Sequence, residues 1–311
     1  MELHSMIFSR MKNDEQIEEL TACFDDRAAV FYQRAASSED EKWGSSIQYP
    51  RIDYTLDMLE NPARHTSGLL VINVWCDILA GAEPEEIEIR LRELFHSAFA
   101  QTDDCIYSFA WQRSDPFEVK NQVDQTPRII GTTVVFDVVA CPCQCTTHPD
   151  PIKGLNDWTK EILPNAIVIG KDEVTGWLMP TRETPVIYWR ITSQGIARQY
   201  YAYTRLSISF EGHVYCMNAA DRLYNLVKIN TAYALSRHIP LEDTSPLFLK
   251  TFDAQPHMNY ILTGQIRASG EYAILQPPSN LARKAEKDKE TGQTYKLNHA
   301  NQSIERRISH G

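Results

Sequence analysis

The sequence predicts an α+β protein of two tandem similar domains, each with helices packed on a mostly antiparallel sheet. Three observations carry this. One order of elements is written twice, with offsets of 135 residues from Pro50 to Pro185 and 133 from Gly131 to Gly264. Helix-period and strand-period segments alternate within each copy, as helices layered on a sheet require. The chain of 311 residues, 43% of them hydrophobic, can give each of two domains its own core. The expected domains are residues 1–145 and 146–276, followed by a tail, 277–311.

In the first copy, Asn13 suits a helix N-cap with Gln16 three residues on. Ile17, Leu20, Phe24 and Phe31 then predict one long amphipathic helix to about Ala36. The polar run 37–41 ends it, and the Tyr49-Pro50 step favours extended backbone. Ile52, Tyr54 and Leu56 alternate as in a half-buried strand, whereas Leu69–Cys76 is apolar on both faces, as in a central strand. Pro84 fits the first position of a helix, with Glu85 and Glu86 at the positive end of its dipole. Ile87, Leu91, Leu94, Phe95 and Phe99 form its apolar stripe, with Glu88, Arg90 and Arg92 outward. Two further strands, Ile106–Trp111 and Ile129–Val139, are expected on either side of a polar loop from Ser114 to Thr126.

The second copy has a leading helix capped by Asp150, with Pro151 at its first position. Ile152, Leu155, Trp158 and Ile162 lie on one face, and Pro164 stops it. Thr184-Pro185-Val186-Ile187 starts the first strand, Arg205–Phe210 matches the central strand, and Ala219–Leu235 matches the crossing helix. Leu262-Thr263-Gly264 matches Ile129-Ile130-Gly131 at the start of the last strand. The extra strand between helix and last strand is legible in the first copy alone.

Net charge is −10, which argues against a reader of nucleic acid that works by neutralising phosphates. Residues 277–311 hold seven basic and four acidic side chains, so residues 1–276 carry −13. An acidic body ends in a basic tail, polar after Leu281 and expected to be flexible in isolation. No window approaches the roughly 18 apolar residues of a membrane span, and Met1–Lys12 lacks the core of a secretory signal. A soluble intracellular protein is expected. Seven Cys is an odd number, and free thiols are the expected state.

Chemistry-bearing motifs are sparse. Cys141, Cys143 and Cys145 with His148 form the only cluster that resembles a metal site. Three Cys at period two would point to one face in a row, whereas zinc sites pair short knuckles from separate segments. The bland alternative is a run of small residues at a strand exit, and no metal ligand is assigned. Gly170-Lys171 lacks the upstream Gly of a phosphate loop, and Asp172 stands where Ser or Thr is required. HExxH, GxSxG and GxGxxG are absent. Asp25-Asp26 and Asp103-Asp104 read as solvated pairs, and His96 as a partly exposed packing residue. Trp75, Trp111, Trp177 and Trp189 read as core or interface anchors. Tyr200, Tyr201 and Tyr203 make an aromatic patch suited to a core or to a neighbouring subunit. No catalytic or cofactor-binding residue is assigned, and the chain is not expected to be an enzyme; a zinc-assisted enzyme is the minority alternative.

Several segments together resemble the tail terminator, or tail completion, proteins of long-tailed bacteriophages. These are the Pro-Arg-Ile opening at Pro50, the strand ending in Val74-Trp75, the acidic helix, the aromatic strand Tyr107–Arg113 and the final strand Gly131–Asp137. The stretch from Trp177 to Ile274 resembles a second, diverged copy. The resemblance implies a structural virion protein with no catalytic residues and no cofactor. It implies a homo-oligomeric ring, usually of six subunits, at the head-proximal end of the tail tube. The ring would end tube polymerisation and meet the head-tail connector or neck protein, and DNA would pass through its lumen without specific binding. Most members resemble one domain, so the extra domain and the basic tail could instead bind the tail sheath or the neck. A neck or collar adaptor between portal and tail is the alternative within the virion.

Overall fold

The computed structural model describes residues 2–44, 47–59, 67–81, 83–103, 105–120, 126–144, 148–236, 238–256, 259, 261–275, 294–298 and 303–307. In chain order the elements of the first half are α1 (Leu3–Lys12), α2 (Glu15–Leu20), β1 (Cys23–Phe24), β2 (Arg27–Ala28), β3 (Val30–Tyr32), β4 (Arg51–Met58), β5 (Gly68–Asp77), α3 (Pro84–Phe95), β6 (Phe99–Gln101), β7 (Ile106–Lys120) and β8 (Pro127–Cys141). The second half contributes α4 (Pro151–Ile162), β9 (Ile167–Val168), β10 (Trp177–Leu178), β11 (Val186–Gln199), β12 (Tyr203–Tyr215), α5 (Ala219–Leu235), β13 (His238–Pro240), β14 (Pro246–Ala254) and β15 (Ile266–Leu275). The tail adds β16 (Thr294–Asn298) and β17 (Ser303–Arg307).

The content is mixed α and β, with few helices and two curled sheets. The first sheet runs β10-β6-β7-β8-β5-β4-β3 and the second β13-β14-β15-β12-β11-β9. Without β10, the two orders correspond strand for strand. Each sheet has one parallel pair, β3 with β4 and β9 with β11, and the remaining pairs are antiparallel. In chain order a helix joins the third strand of each sheet to the fourth, α3 between β5 and β6 in the first half and α5 between β12 and β13 in the second.

Local chemistry accounts for most element ends. Pro84 starts α3 and Pro151 starts α4, while Asp150 accepts the Ile152 and Lys153 N–H groups that α4 leaves unpaired. Asn218 caps α5 by accepting from the Asp221 N–H. β5 alternates fully buried and half-buried positions, with Leu70, Ile72, Val74 and Cys76 inward. Its inward set meets Ile87, Leu91, Leu94 and Phe95 of α3 and the α1 residues Ile7 and Met11 in one core. The second half builds its own core from Trp158, Trp189, Phe210, Leu226, Ile229 and Tyr272 among others.

The expected long helix over 13–36 is replaced by one short helix, α2, and extended chain. Asp14, not Asn13, caps α2, and Asp25 and Asp26 both have φ of 56°, the two left-handed positions of a tight hairpin turn joining β1 and β2. Phe24 and Phe31 then pack on Trp43 in a small separate core instead of continuing a helical stripe. α3 stops at Phe95, because His96 is already extended and Ser97 adopts φ of 64°. Phe99 therefore belongs to β6. The expected polar loop at 114–126 is strand through Lys120, paired along β8 past a bulge between Trp111 and Arg113. The second half has the strand that was legible only in the first, as β14 with its edge partner β13.

Gly131 and Gly264 do different jobs. Gly131 lies inside β8, where a methyl would overlap the Val74 carbonyl oxygen and the Phe117 ring, whereas Gly264 turns the chain at φ of 70° before β15 begins. In the tail, expected to be flexible in isolation, β16 pairs antiparallel with β17.

Candidate assembly surfaces

The two halves meet through a third core. Phe99, Ala110, Val139 and Cys141 of the first half pack with Ile169, Val186, Tyr188, Tyr215 and Ile261 of the second. Phe99 meets Tyr215 edge-to-face with centroids 4.9 Å apart. Polar groups tie the seam: the Tyr188 hydroxyl donates to the Pro142 carbonyl at 2.8 Å, and the Ile191 N–H donates to Gln144 Oε1 at 2.7 Å.

One strand crosses the division at residue 145. β10 pairs with β6, Trp177 opposite Ala100 and Leu178 opposite Phe99. The Gln101 N–H donates to the Gly176 carbonyl and the Val174 N–H to Gln101 Oε1, each reinforcing that edge. Trp177 reaches the first core, with ring centroids 5.6 Å from Phe95 and 5.4 Å from Phe109. The Arg10 guanidinium lies 4.4 Å from its ring centre, and Arg10 Nε donates to the Leu94 carbonyl. Burial pushes the Arg10 guanidinium down to about 10, against the opposing pull of Asp14.

The cysteine run is split by this seam. Cys141 is buried in the third core, Cys143 is exposed, and Cys145 lies outside the described residues. His148 is exposed. Among the described residues, no group of three or more His, Cys, Asp or Glu converges as metal ligands do. Burial pushes the thiols of Cys76 and Cys216 up to about 11, the behaviour of inert core cysteines.

The other singled-out residues are spread over the molecule. Lys171 pairs with Asp157 beside Gly170, which has φ of 90°. Asp25 and Asp26 form the hairpin turn described above; Asp103 is exposed and Asp104 lies outside the described residues. His96 is half-buried and its Nδ1 accepts the Trp111 N–H at 3.1 Å; burial, then Arg92 and Arg222, lower its pKa. Trp189 is fully buried, and its Nε1 donates to Thr159 Oγ1 at 2.8 Å. Trp75 donates to Asp53 at 2.5 Å, and Trp111 lies under the Arg92 guanidinium at 3.9 Å. Tyr200 and Tyr203 stack at 4.5 Å across the turn between β11 and β12.

Three surfaces carry exposed apolar side chains. The far half of β11, residues 192–199, is exposed throughout, with Ile196 at 63% exposure. The short turn before α3 presents Leu79 at 91%. The outer face of α5 presents Leu223, Val227 and Leu235, with Tyr224 held between Arg182 and Lys228. These side chains leave apolar area on the surface of the single chain. Among the described residues, no helix is long and apolar enough to cross a membrane. No protein-family model, no curated protein and no solved structure matches this chain.

Proposed function

We propose that this chain is a structural virion protein, not an enzyme, built from two tandem copies of one domain. It assembles as a ring at the head-proximal end of a phage tail, ending growth of the tail tube and joining it to the head connector. The observation that carries the reading is the repeated strand order of the two curled sheets. Each has a parallel edge strand at one end and a crossing helix at the same point of the run. Two like units in one chain provide like surfaces in two places, the raw material of a head-to-tail ring. The phage assignment itself rests on the resemblance of sequence pattern given above.

Charge fits a DNA conduit. Phosphates slide past a lumen that is acidic or neutral and stick to one lined with Lys and Arg, and the body carries −13 over residues 1–276. The basic tail then points away from the channel, toward an acidic surface of a neighbouring copy or of the next tier. Light scattering and negative-stain images of the purified protein, alone and mixed with tail tube protein, test the proposal. Closed rings that cap tube ends are expected. A monomer under both conditions refutes it.

A further inference from the structure

The same sheet edge is covered in one half of the molecule and open in the other. In the first sheet β6 would be the edge, but β10 pairs with it. β10 lies in the connection between β9 and β11, so the second half reaches back over the first. In the second sheet β13 holds the place of β6, after the crossing helix and paired with the strand that follows. Among the described strands none pairs with its outer side. Beside it Leu235, the last residue of α5, is 82% exposed, and Phe248 on β14 is 48% exposed. Apolar side chains flanking an unpaired strand are what a covering chain leaves behind when it is removed.

The repeat identifies the covering chain. The counterpart of the connection between β9 and β11, residues 169–185, is the connection between β3 and β4, residues 33–50. Three residues mark the correspondence: Glu39, Trp43 and Pro50 precede Glu173, Trp177 and Pro185 by 134, 134 and 135 positions. Within one chain Trp43 is 3% exposed, held against Phe24 and Phe31, a cluster built on the β1–β2 hairpin that the second half lacks. The connection still presents Ile47 at 62% exposure.

We infer that the β13 edge of one copy receives the 33–50 connection of a second copy, head to tail, which takes between chains the place on the sheet edge that β10 takes within one. This rests on the ring reading and names the contact that closes the ring. The contact differs from its in-chain counterpart at two points: Trp43 lies in a 3-10 turn and stays in its own chain's core, where Trp177 docks on the other half, and the strand edge loses a donor. Gln101 donates its N–H to the crossing strand, whereas Pro240, at the matching place, has none. Ile47 against Leu235 and Phe248 therefore carries most of the contact. Because halves alternate around such a ring, every chain fills two positions, and a six-position ring closes with three chains.

Two variants separate the two sides of the contact: Leu235→Asp with Phe248→Asp on one, Ile47→Asp on the other. All three side chains are exposed, so circular dichroism of each variant should match wild type. Mass photometry should show closed rings for wild type and monomer for each variant alone. Mixed together, the two variants retain one intact pairing and should give dimers that grow no further. Rings from either variant alone overturn this contact and leave the ring reading standing. A wild-type protein that stays monomeric with and without tube protein overturns both.

Discussion

Replacing Trp177 with Ala should loosen the first half of the molecule although the residue belongs to the second. Full removal of a buried Trp side chain costs about 3–5 kcal/mol. Trp177 is half-buried, packed on Phe95 and Phe109, so about 2 kcal/mol follows from packing. Loss of the Arg10 contact at 4.4 Å adds about 0.5–1 kcal/mol. The expected total is roughly 2–3 kcal/mol. Urea denaturation followed by circular dichroism reads the total. Hydrogen exchange at the Gln101 amide, which donates to the Gly176 carbonyl, reads the location. Trp177→Phe should recover part of both. A loss below about 0.5 kcal/mol with unchanged protection at Gln101 would refute the coupling of the halves through β10.

Three further outcomes follow from the same geometry. Asp14 caps α2 and holds Arg90 of α3 through a fork of 2.6 and 3.0 Å, so Asp14→Ala should cost about 2–3 kcal/mol in thermal or urea unfolding at neutral pH. Burial opposes ionisation of this carboxyl, but the Arg90 fork and the α2 N–H groups outweigh it and hold its pKa below 3.8. Its stabilisation is therefore present above the ordinary carboxyl range and lost as pH falls through the lowered folded value, so the gap between wild type and variant should close in acid. Gly131→Ala, which overlaps the Val74 carbonyl and the Phe117 ring, should destabilise by about 2–3 kcal/mol; an unchanged melting temperature would contradict that close approach. Deleting residues 281–311 should weaken attachment of the ring to its neighbours at low salt more than at high salt, and pull-down with tube and connector proteins that shows no change at either salt would sink the proposed role of the tail.

The sequence by itself determined the mixed α and β content, the crossing helix Ala219–Leu235 to the residue, and the start and cap of Pro151–Ile162. These are legible because caps, first-turn prolines and apolar periods are local. The tertiary structure decided where that local grammar misleads. Phe24, Phe31 and Phe99 sit at helical spacing, yet two left-handed aspartates and a left-handed Ser97 turn the chain into strands. The run from Ser114 to Lys120 reads as polar loop because most of it is exposed; its ladder to β8 and the packing of Phe117 on Trp75 hold it extended. Trp177 was recognisable as an anchor, but not as the anchor of the other half. Its destination depends on an edge strand about 75 residues earlier in the chain, a long-range pairing that no local period encodes. The matching of Trp43 to Trp177 lies in the sequence, but its meaning depends on the tertiary structure, in which β10 covers one sheet edge and no described strand pairs with the outer side of the equivalent edge, β13.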